Sequence, residues 1–480
     1  MNTKQLRQKI LDLAIRGKLV PQDPNDEPAS VLLERIRAEK ERLIKEKKIK
    51  PDKKKSGAKS HYGKEVPFEV PESWEWAIIS DISTSIQYGY TGKAISEGKY
   101  KMLRITDIQN NSVDWASVPF VEIEDNKAKD YLLFDSNILF ARTGATVGKS
   151  FLIENLDEKS VFASYLIRIN TSNNINARYL NHFLDSDFYW KQIMERSIGT
   201  GQPNVNGTIL GELKIPIPPY VEQQRIVNEI QNQYKWISII DESKQVLDEL
   251  IQHSKSKILD LAIRGKLVPQ DPNDEPASIL LEQIRKEQKL PKKTADKFPY
   301  PFEVPESWEW CKLGEIGDWQ SGSTPSRAKK EYYNGDINWL KTGDLTDDYI
   351  YNISEKITQK ALLETSVKLN PIGSVLIAMY GATIGKVGIL TQPATTNQAC
   401  CACSNFRGIN NLYLFYLLIA YRDYFIQLGE GGAQPNISKE KIISTDIPLP
   451  PLSEQQRIVE KIEEIFKMLD KIEENIQTNA

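Results

Sequence analysis

The chain has 480 residues, a length that predicts two to four domains, and its composition of 40% hydrophobic and 26% charged residues is that of a globular protein. The longest apolar stretch, residues 412–421, is too short to cross a bilayer, and the N-terminus lacks the apolar segment of a signal peptide. The net charge of −3 argues against a simple electrostatic nucleic-acid binder, unless the basic residues share one face or a partner supplies phosphate contacts. We expect a cytoplasmic protein without a disulfide framework, because three of the four cysteines lie together within residues 400–403.

An internal duplication with a period near 235 residues organises the chain. The matching segments are 10–30 with 258–278, 67–76 with 301–310, 141–149 with 378–386, 201–204 with 433–436, and 215–227 with 447–459. The interiors 77–200 and 311–432 match only at short islands, whereas the helical ends match closely. A duplicated frame that carries two divergent inserts indicates one shared scaffolding task and two different recognition tasks.

Six segments follow from this pattern. They are an N-terminal helical segment of the frame (1–44), a basic linker (45–65), a first insert (66–220), a central long helix with a helical spacer (221–297), a second insert (298–452) and a C-terminal helix of the frame (453–480). The linker is rich in Lys and poor in apolar residues, which predicts a mobile tether. A solvated spacer is favoured over a phosphate contact for this linker and for the shorter basic one at 288–299.

Each insert is predicted to be an α+β globule of roughly 150 residues. The predicted strands are Tyr100–Ile105, Ile138–Ala141, Phe151–Ile153, Tyr165–Ile169, Ile337–Lys341, Val375–Met379 and Val387–Leu390, and the predicted apolar helices are 179–193 and 413–428. The tryptophans of the repeated PESWEW segment, Trp74, Trp76, Trp308 and Trp310, are expected to pack at the start of each insert rather than to stack on bases.

The repeated GAT[VI]GK element lies between two predicted strands, so we expect a turn. A P-loop has four residues between its glycines and a helix after the lysine, whereas here three residues separate the glycines, and Val387 replaces the Mg²⁺-binding Ser or Thr in the second copy. Two interpretations stay open, a structural hairpin and a turn that faces a polyanion. The second interpretation involves Arg142, Thr146, Lys149, Thr383 and Lys386.

Further candidates for DNA contact flank these turns. Gln and Asn amides can pair with adenine in the major groove, and the repeated Gln-Pro-Asn element supplies Gln202, Asn204, Gln434 and Asn436. Because both copies carry this element, it cannot explain different specificities, and a structural loop or a shared backbone contact is favoured. The remaining polar candidates are Arg104, Thr106, Lys341 and Thr342.

Residues 222–264 are predicted to form one helix about 60 Å long, because no proline falls between Pro219 and Pro269 and the apolar residues follow a heptad pattern. Its second half matches the N-terminal helix (4–16), and its first half matches the C-terminal helix (453–478). The two terminal helices are therefore expected to lie antiparallel against the central one, in a pseudo-two-fold α+β molecule with coiled-coil helices. A coiled-coil stalk for oligomerisation is the alternative.

Several apolar residues of the central helix fall off this heptad pattern. They either complete the local core or dock partner proteins. The residues concerned are Val227, Trp236, Ile239 and Leu250.

No catalytic or metal-binding pattern emerges from the sequence. The three histidines are scattered, and Ile217 at the start of the IPPY segment cannot hydrogen-bond an exocyclic amine as the first residue of an amino-methyltransferase motif does. The group at Cys400–Cys403 lacks a second ligand pair and predicts a buried strand. We therefore expect a chain that is not an enzyme, with neither catalytic residues nor a metal.

The order of these duplicated motifs resembles the specificity subunits of type I restriction–modification systems. The resemblance covers almost the whole chain and rests on the two variable inserts, the paired IP[IL]PP segments, the EQQRIV helices at 222–227 and 454–459, the GAT[VI]GK turns and the repeated LDLAIRGKLVPQ. No single motif is highly specific, but their duplicated order is.

The resemblance implies that each insert is a target-recognition domain for one half of an asymmetric bipartite site in double-stranded DNA. It implies that the helices fix the unread spacer, with half-site centres about one DNA turn (~34 Å) apart. It also implies two modification subunits that use S-adenosylmethionine and, in complexes that restrict, ATP-dependent and Mg²⁺-dependent restriction subunits. No cofactor is expected in this chain, and the partners explain the acidic charge. A scaffold that binds only proteins, and an enzyme, are the competing hypotheses.

Overall fold

The computed structural model describes residues 2–49, 66–109, 111–197, 205–289, 300–429 and 436–478. The chain divides into two compact units, Met1–Ser243 and Lys244–Asn479. Each unit combines sheets with helices, so the predicted α+β class is confirmed. Most of the predicted linkers, 45–65 and 288–299, lies outside the described residues.

Unit 1 begins with two helices and continues into the first insert. Its helices are α1 (Thr3–Ile15), α2 (Ala29–Lys45), α3 (Ile79–Ile82), α4 (Asp125–Ala128), α5 (Ala177–Leu184), α6 (Asp187–Ser197), α7 (Gly207–Gly211) and the first part of α8 (Tyr220–Ile263). Its strands are β1 (Glu75–Ile78), β2 (Ser83–Tyr88), β3 (Ala94–Ile95), β4 (Tyr100–Leu103), β5 (Ile108–Gln109), β6 (Ser112–Val113), β7 (Phe120–Val121), β8 (Ile138–Ala141), β9 (Ser150–Leu152), β10 (Ser160–Phe162), β11 (Leu166–Thr171) and β12 (Lys214–Ile217). The strand orders are β2-β11-β8-β9, β10-β4-β7-β3, β1-β12 and β5-β6.

Unit 2 follows a related plan with sheets of different size. It contains the rest of α8, then α9 (Ala277–Gln288), α10 (Gln359–Glu364), α11 (Asn411–Ala420), α12 (Arg422–Leu428), α13 (Lys439–Ile443) and α14 (Leu452–Thr478). Its strands are β13 (Glu309–Lys312), β14 (Asp318–Ser321), β15 (Tyr333–Leu340), β16 (Asp348–Ile350), β17 (Lys356–Ile357), β18 (Val375–Ala378), β19 (Val387–Leu390), β20 (Thr395–Thr396), β21 (Cys400–Ser404) and β22 (Asp446–Leu449). The strand orders are β14-β21-β18-β19-β16, β17-β15-β20 and β13-β22.

The central strand of each insert is covered on both faces. In β8, Ile138 and Phe140 join the main core of unit 1, while Leu139 and Ala141 pack into a second cluster on the opposite face. Strand β18 repeats the arrangement in unit 2, where alternate residues also enter two different clusters. Because neither face meets water, these strands are continuous apolar runs in the sequence rather than alternating ones.

The long central helix is confirmed at Tyr220–Ile263, and α14 confirms the C-terminal helix. The predicted helices 179–193 and 413–428 are each two helices, so those two predictions were wrong. In unit 1 the break follows from Ser186, whose hydroxyl donates to the Phe183 carbonyl and accepts from the Tyr189 N–H. A serine that caps a new helix start competes with helix continuation, which the apolar pattern alone does not reveal.

The predicted strands are present; β8 and β19 have the predicted bounds, and the others have shifted ends. Strand β15 begins four residues before the predicted start at Ile337, and β11 extends to Thr171 rather than Ile169. The group at Cys400–Cys403 forms the buried strand β21, as predicted. Burial raises the pKa of the Cys401 thiol to about 12, so this group is an unreactive part of the core.

The helices of the frame pair within each unit. In unit 1, the Arg7 guanidinium lies 4.9 Å from the Tyr234 ring centroid, and Arg225 Nη2 lies 2.6 Å from Asp26 Oδ2. Arg7, early in the N-terminal segment, contacts the later α8 residue Tyr234, whereas Asp26 contacts the earlier Arg225. The N-terminal segment and α8 therefore run antiparallel. The α14 helix of unit 2 runs antiparallel to α8 in the same way, because Lys255 Nζ lies 2.5 Å from Asp470 Oδ1, whereas Asp274, later in the chain, pairs with the earlier Arg457.

The predicted heptad seam is buried over only part of its length. Ile226, Ile230, Ile237 and Ile251 are buried, whereas Ile240 is 42% exposed. Helix α2 does not extend the frame, because Lys40 Nζ donates to the Ser80 carbonyl at 2.6 Å and so ties α2 to the insert.

The duplicated segments meet at a buried joint between helix and insert. In unit 1, Glu222 accepts hydrogen bonds from Trp74 Nε1 at 3.0 Å and from Gln22 Nε2 at 2.5 Å, and the Arg225–Asp26 ion pair lies one helical turn away. Burial raises the pKa of the Glu222 carboxyl, an effect that the two hydrogen bonds partly oppose. We call these five residues joint 1.

Unit 2 contains the same joint. Glu454 accepts from Trp308 Nε1 at 2.9 Å and from Gln270 Nε2 at 2.6 Å, and Arg457 Nη2 lies 2.6 Å from Asp274 Oδ2. We call these five residues joint 2. Sequence identity between the copies thus marks the attachment of insert to helix. The four tryptophans of the PESWEW segments are buried there, which confirms packing as their role.

Candidate nucleic-acid interface

In unit 1 the described candidate contact residues, which are Arg104, Thr106, Arg142, Thr146 and Lys149, lie on loops that meet at the end of strand β8. The Ala163 N–H donates to the Leu103 carbonyl at 2.9 Å, the Arg142 N–H donates to the Tyr165 carbonyl at 3.2 Å, and the Val205 N–H donates to the Arg142 carbonyl at 3.1 Å. These three backbone bonds hold four chain segments side by side. We define loop cluster 1 as residues 104–107, 142–149, 163–165 and 205.

Unit 2 holds the equivalent loops with the equivalent bonds. The Asn397 N–H donates to the Leu340 carbonyl at 2.9 Å, the Met379 N–H donates to the Ala399 carbonyl at 2.8 Å, and the Ile437 N–H donates to the Met379 carbonyl at 2.9 Å. We define loop cluster 2 as residues 341–344, 379–386, 397–399 and 436–437. The backbone of the site is therefore duplicated although its side chains differ.

The GAT[VI]GK element is a tight turn in both clusters, as predicted. In unit 1 its short 3-10 segment, Gly144–Thr146, is followed by Gly148 at φ +91° and then by strand β9. A Cβ atom at Gly148 would lie 2.6 Å from the Trp190 ring, so glycine is required there for space as well as for conformation. Because a strand rather than a helix follows Lys149, the element lacks the geometry of a P-loop.

The cationic side chains on the first loop of each cluster are already paired. Arg104 donates from Nε and Nη2 to Asp107 at 3.1 and 2.7 Å, and this contact raises the pKa of Arg104. Lys341 is bound to Glu355, while its backbone N–H donates to Asp344 at 2.9 Å. These loops are thus rigid, and their cations are partly neutralised. Thr106 is exposed and Thr342 is half-buried.

The turn residues differ in how free they are. Lys149 and Lys386 are exposed, and Thr146 is half-buried. The Thr383 hydroxyl donates to the Tyr380 carbonyl at 2.8 Å, so it stabilises its own turn. Asn436 is exposed and forms a backbone bridge with Tyr380. The remaining residues of the Gln-Pro-Asn elements, Gln202, Asn204 and Gln434, lie outside the described residues.

One residue expected to dock partners is placed differently by the structure. Val227 is only 3% exposed and belongs to the core of unit 1, so its burial removes it from any docking surface. Trp236, Ile239 and Leu250 are 64%, 42% and 55% exposed. Sequence reasoning missed two neighbours on α8 that are also exposed. They are Ile240 and Val246.

A further residue that the sequence did not reveal is Tyr88, at the end of β2. Its ring centroid lies 5.0 Å from the Arg142 guanidinium carbon, and its hydroxyl accepts from the Gly207 N–H at 2.8 Å. No periodicity or motif links Tyr88 to Arg142, because the antiparallel sheet brings them together across distant parts of the chain.

Within the described ranges, no group of three His, Cys, Asp or Glu side chains could hold a metal ion. The same residues include no helix that is long and apolar enough to span a membrane.

A known family model matches each half of the duplicated chain. The model described as "Type I restriction modification DNA specificity domain" matches residues 71–249 and 305–479. The two matches cover each insert together with the helix that follows it, and together they span most of the chain. The fold and the site thus define a protein with two DNA specificity domains.

The chain belongs to the type I restriction–modification specificity family. It is similar to the Escherichia coli type I restriction enzyme EcoAI specificity subunit, with 28% identity over an alignment that covers 99% of this chain and 91% of that protein. The EcoEI specificity subunit from the same organism gives the same identity and coverage. Proteins of this family confer sequence specificity and do not themselves catalyse a reaction, and this chain is a DNA-specificity subunit of that kind.

A solved structure agrees with the fold. A chain from "Structural basis underlying complex assembly and conformational transition of the type I R-M system" superposes with a TM-score of 0.60 at 19% identity, over 86% of this chain and 95% of that one.

Proposed function

We propose that each insert acts as a target-recognition domain for one half of an asymmetric bipartite site in double-stranded DNA. The observation that carries this proposal is the duplicated backbone of the two loop clusters, which present different side chains. Arg142 in cluster 1 is matched by Met379 in cluster 2, and Thr143 is matched by Tyr380. One docking geometry with two chemistries suits two unlike half-sites on the same duplex.

Within this proposal the candidate residues divide by chemistry. The exposed Lys149 and Lys386 are point charges on rigid turns and suit phosphate oxygens. Polar groups closer to the centre of each cluster suit base edges in the grooves. Because Arg104 and Lys341 are held by carboxylates of the same chain, we assign them first to the rigidity of the loops and only second to DNA.

The frame is proposed to set the spacing between the half-sites. The antiparallel contacts of α1 and α14 with the two parts of α8 support a coiled-coil arrangement with a pseudo-two-fold repeat. The identical chemistry of joint 1 and joint 2 supports it further, since each insert is attached to its helix by the same buried bonds. The boundaries 66–220 and 298–452 for the two recognition domains are part of this proposal.

We further propose that α8 docks two modification subunits. The exposed Trp236, Ile239 and Ile240 of unit 1, and the exposed Val246 and Leu250 of unit 2, offer aromatic and aliphatic anchors of the kind that protein interfaces use. S-adenosylmethionine is assigned to those partners, and ATP and Mg²⁺ to restriction subunits where these join. The partners would contribute phosphate contacts that offset the acidic charge of this chain. A cytoplasmic location is proposed with them.

The decisive experiment is selection from a randomised duplex library by the chain in complex with its modification subunits at moderate salt. Enrichment of a two-part motif with a fixed gap is the expected result. Absence of any enriched motif would favour a scaffold that binds only proteins.

Exchange of residues 77–210 for the same region of a relative tests the modular arrangement. It should change one half-site and leave the gap length unaltered. A change in both halves would contradict the assignment of one half-site to each insert.

A further inference from the structure

The first insert contains five arginines, and four of them are committed to acceptors of the same chain. Arg104 and Arg178 pair with Asp107 and Glu154. The other two donate to main-chain carbonyls: Arg168 to Leu132 and Asp130, and Arg196 to Ile209 and Glu212. Of these five, Arg142 alone has a guanidinium without a carboxylate or carbonyl partner among the described residues, and its buried Nε atom is unsatisfied.

Arg142 is nevertheless fixed in place. Its backbone N–H and carbonyl are both hydrogen-bonded, to Tyr165 and Val205, and its guanidinium stacks on Tyr88. The Tyr88 ring is itself anchored through the hydroxyl that accepts from the Gly207 N–H. An arginine whose orientation is set by stacking, while its donors stay unused, loses less conformational entropy when it binds a ligand.

The ligand that suits such a side chain in a DNA-binding loop is guanine. Its O6 and N7 atoms accept two parallel hydrogen bonds from a guanidinium in the major groove. We propose that Arg142, positioned by Tyr88, reads a guanine in the half-site bound by unit 1. The inference rests on the proposed function and deepens it, because it names one specificity-determining residue and one positioning residue.

Unit 2 has no arginine at the position that matches Arg142. The matching residue, Met379, is 3% exposed and carries no donor. The arginines of the second insert, Arg327, Arg407 and Arg422, pair with Glu355, Asp318 and Asp347. Loop cluster 2 therefore has no arginine at the position of Arg142, and the two half-sites differ in chemistry at this point of the two loop clusters.

Arg142→Met tests the assignment, because it copies the residue of the second insert. The complex with modification subunits is selected against a randomised duplex library, and half-site 1 is identified by the exchange of residues 77–210. The preference for one guanine in half-site 1 should fall about 5- to 150-fold, while half-site 2 and the gap stay unchanged. Arg142→Gln is a second variant in case the methionine perturbs folding, because it keeps a polar side chain at this half-buried position. It should lose the same guanine preference.

A matched pair at Tyr88 tests the positioning role. Tyr88→Phe keeps the ring under Arg142 and should retain most of the guanine preference, whereas Tyr88→Leu removes the ring and should weaken that preference several-fold. A purely structural tyrosine would instead lower the melting temperature and the affinity for all sequences without altering the choice of base.

The outcomes separate the inference from the proposed function. If the unaltered complex enriches no bipartite motif, the proposed function fails. If it does enrich one, the proposed function stands, and any of three results overturns the role of Arg142. They are a half-site 1 without guanine on either strand, an unaltered guanine preference in both Arg142 variants, or binding that is weakened equally for every sequence.

Discussion

Trp74→Phe would remove the indole N–H that donates to Glu222 at 3.0 Å while it leaves an aromatic ring in a buried position. Glu222 would keep Gln22 as a donor and lose the other one. Because residue 222 is 1% exposed, water cannot replace the missing bond. The substitution therefore tests whether joint 1 holds the insert to α8.

The size of the effect follows from the buried acceptor. A buried polar group left without its partner costs about 1–3 kcal/mol, and the smaller ring leaves a void that adds to this cost. The local opening equilibrium of joint 1 should rise about 5- to 150-fold. Burial already raises the pKa of Glu222, and a protonated carboxyl tolerates the loss better. The loss of stability that Trp74→Phe causes at joint 1 should therefore grow as the pH rises through the raised pKa of Glu222 and shrink below it.

Hydrogen exchange followed by mass spectrometry is the suitable assay. Peptides from 220–236 and 452–468 differ in sequence and report on joint 1 and joint 2 separately, whereas the identical segments 10–30 and 258–278 cannot be told apart. Trp74→Phe should accelerate exchange in the first peptide and leave the second unchanged.

Trp308→Phe is the matched control, since Trp308 Nε1 donates to Glu454 at 2.9 Å, and it should give the mirror result. The reasoning would be refuted if Trp74→Phe changed neither peptide, or if it accelerated both equally.

Three further predictions follow from the structure. Burial raises the pKa of Asp185 to about 6 because it penalises the charged carboxylate. Asp185→Asn should therefore stabilise unit 1 by about 1–2 kcal/mol above pH 6 and by nothing below the usual pKa of an aspartate. Calorimetry at pH 5 and pH 8 measures the difference, and an equal gain in stability at both pH values would contradict the prediction. Gly17→Ala should destabilise joint 1 by about 1–3 kcal/mol, because φ is +66° and the new Cβ would lie 2.4 Å from Pro71; an unchanged melting temperature would count against this. Lys149→Ala should weaken binding to all duplexes alike and lower the salt dependence by about one phosphate contact, whereas lost discrimination at a single base pair would argue against a phosphate role.

The duplicated pattern of the sequence was enough to predict the α+β class, the long helix and the tight GAT[VI]GK turns. These features depend on neighbours in the chain: the heptad spacing and the absence of proline define α8, and the paired glycines define the turns. The comparison of the copies also distinguished a shared frame from divergent inserts. The family resemblance added the DNA-specificity function, which the family match then confirmed.

Tertiary structure alone decided which of these residues are available. Val227 and the exposed Trp236 looked alike in the sequence, yet only Val227 packs into the core of unit 1. Arg104 and Arg142 looked equivalent in the sequence as candidate cations. In the structure Arg104 forms an ion pair with Asp107, whereas Arg142 stacks on Tyr88 and its guanidinium has no carboxylate or carbonyl partner among the described residues. Local periodicity is set by residues a few positions apart, whereas burial and pairing depend on contacts between distant segments, and those contacts exist only once the chain has folded.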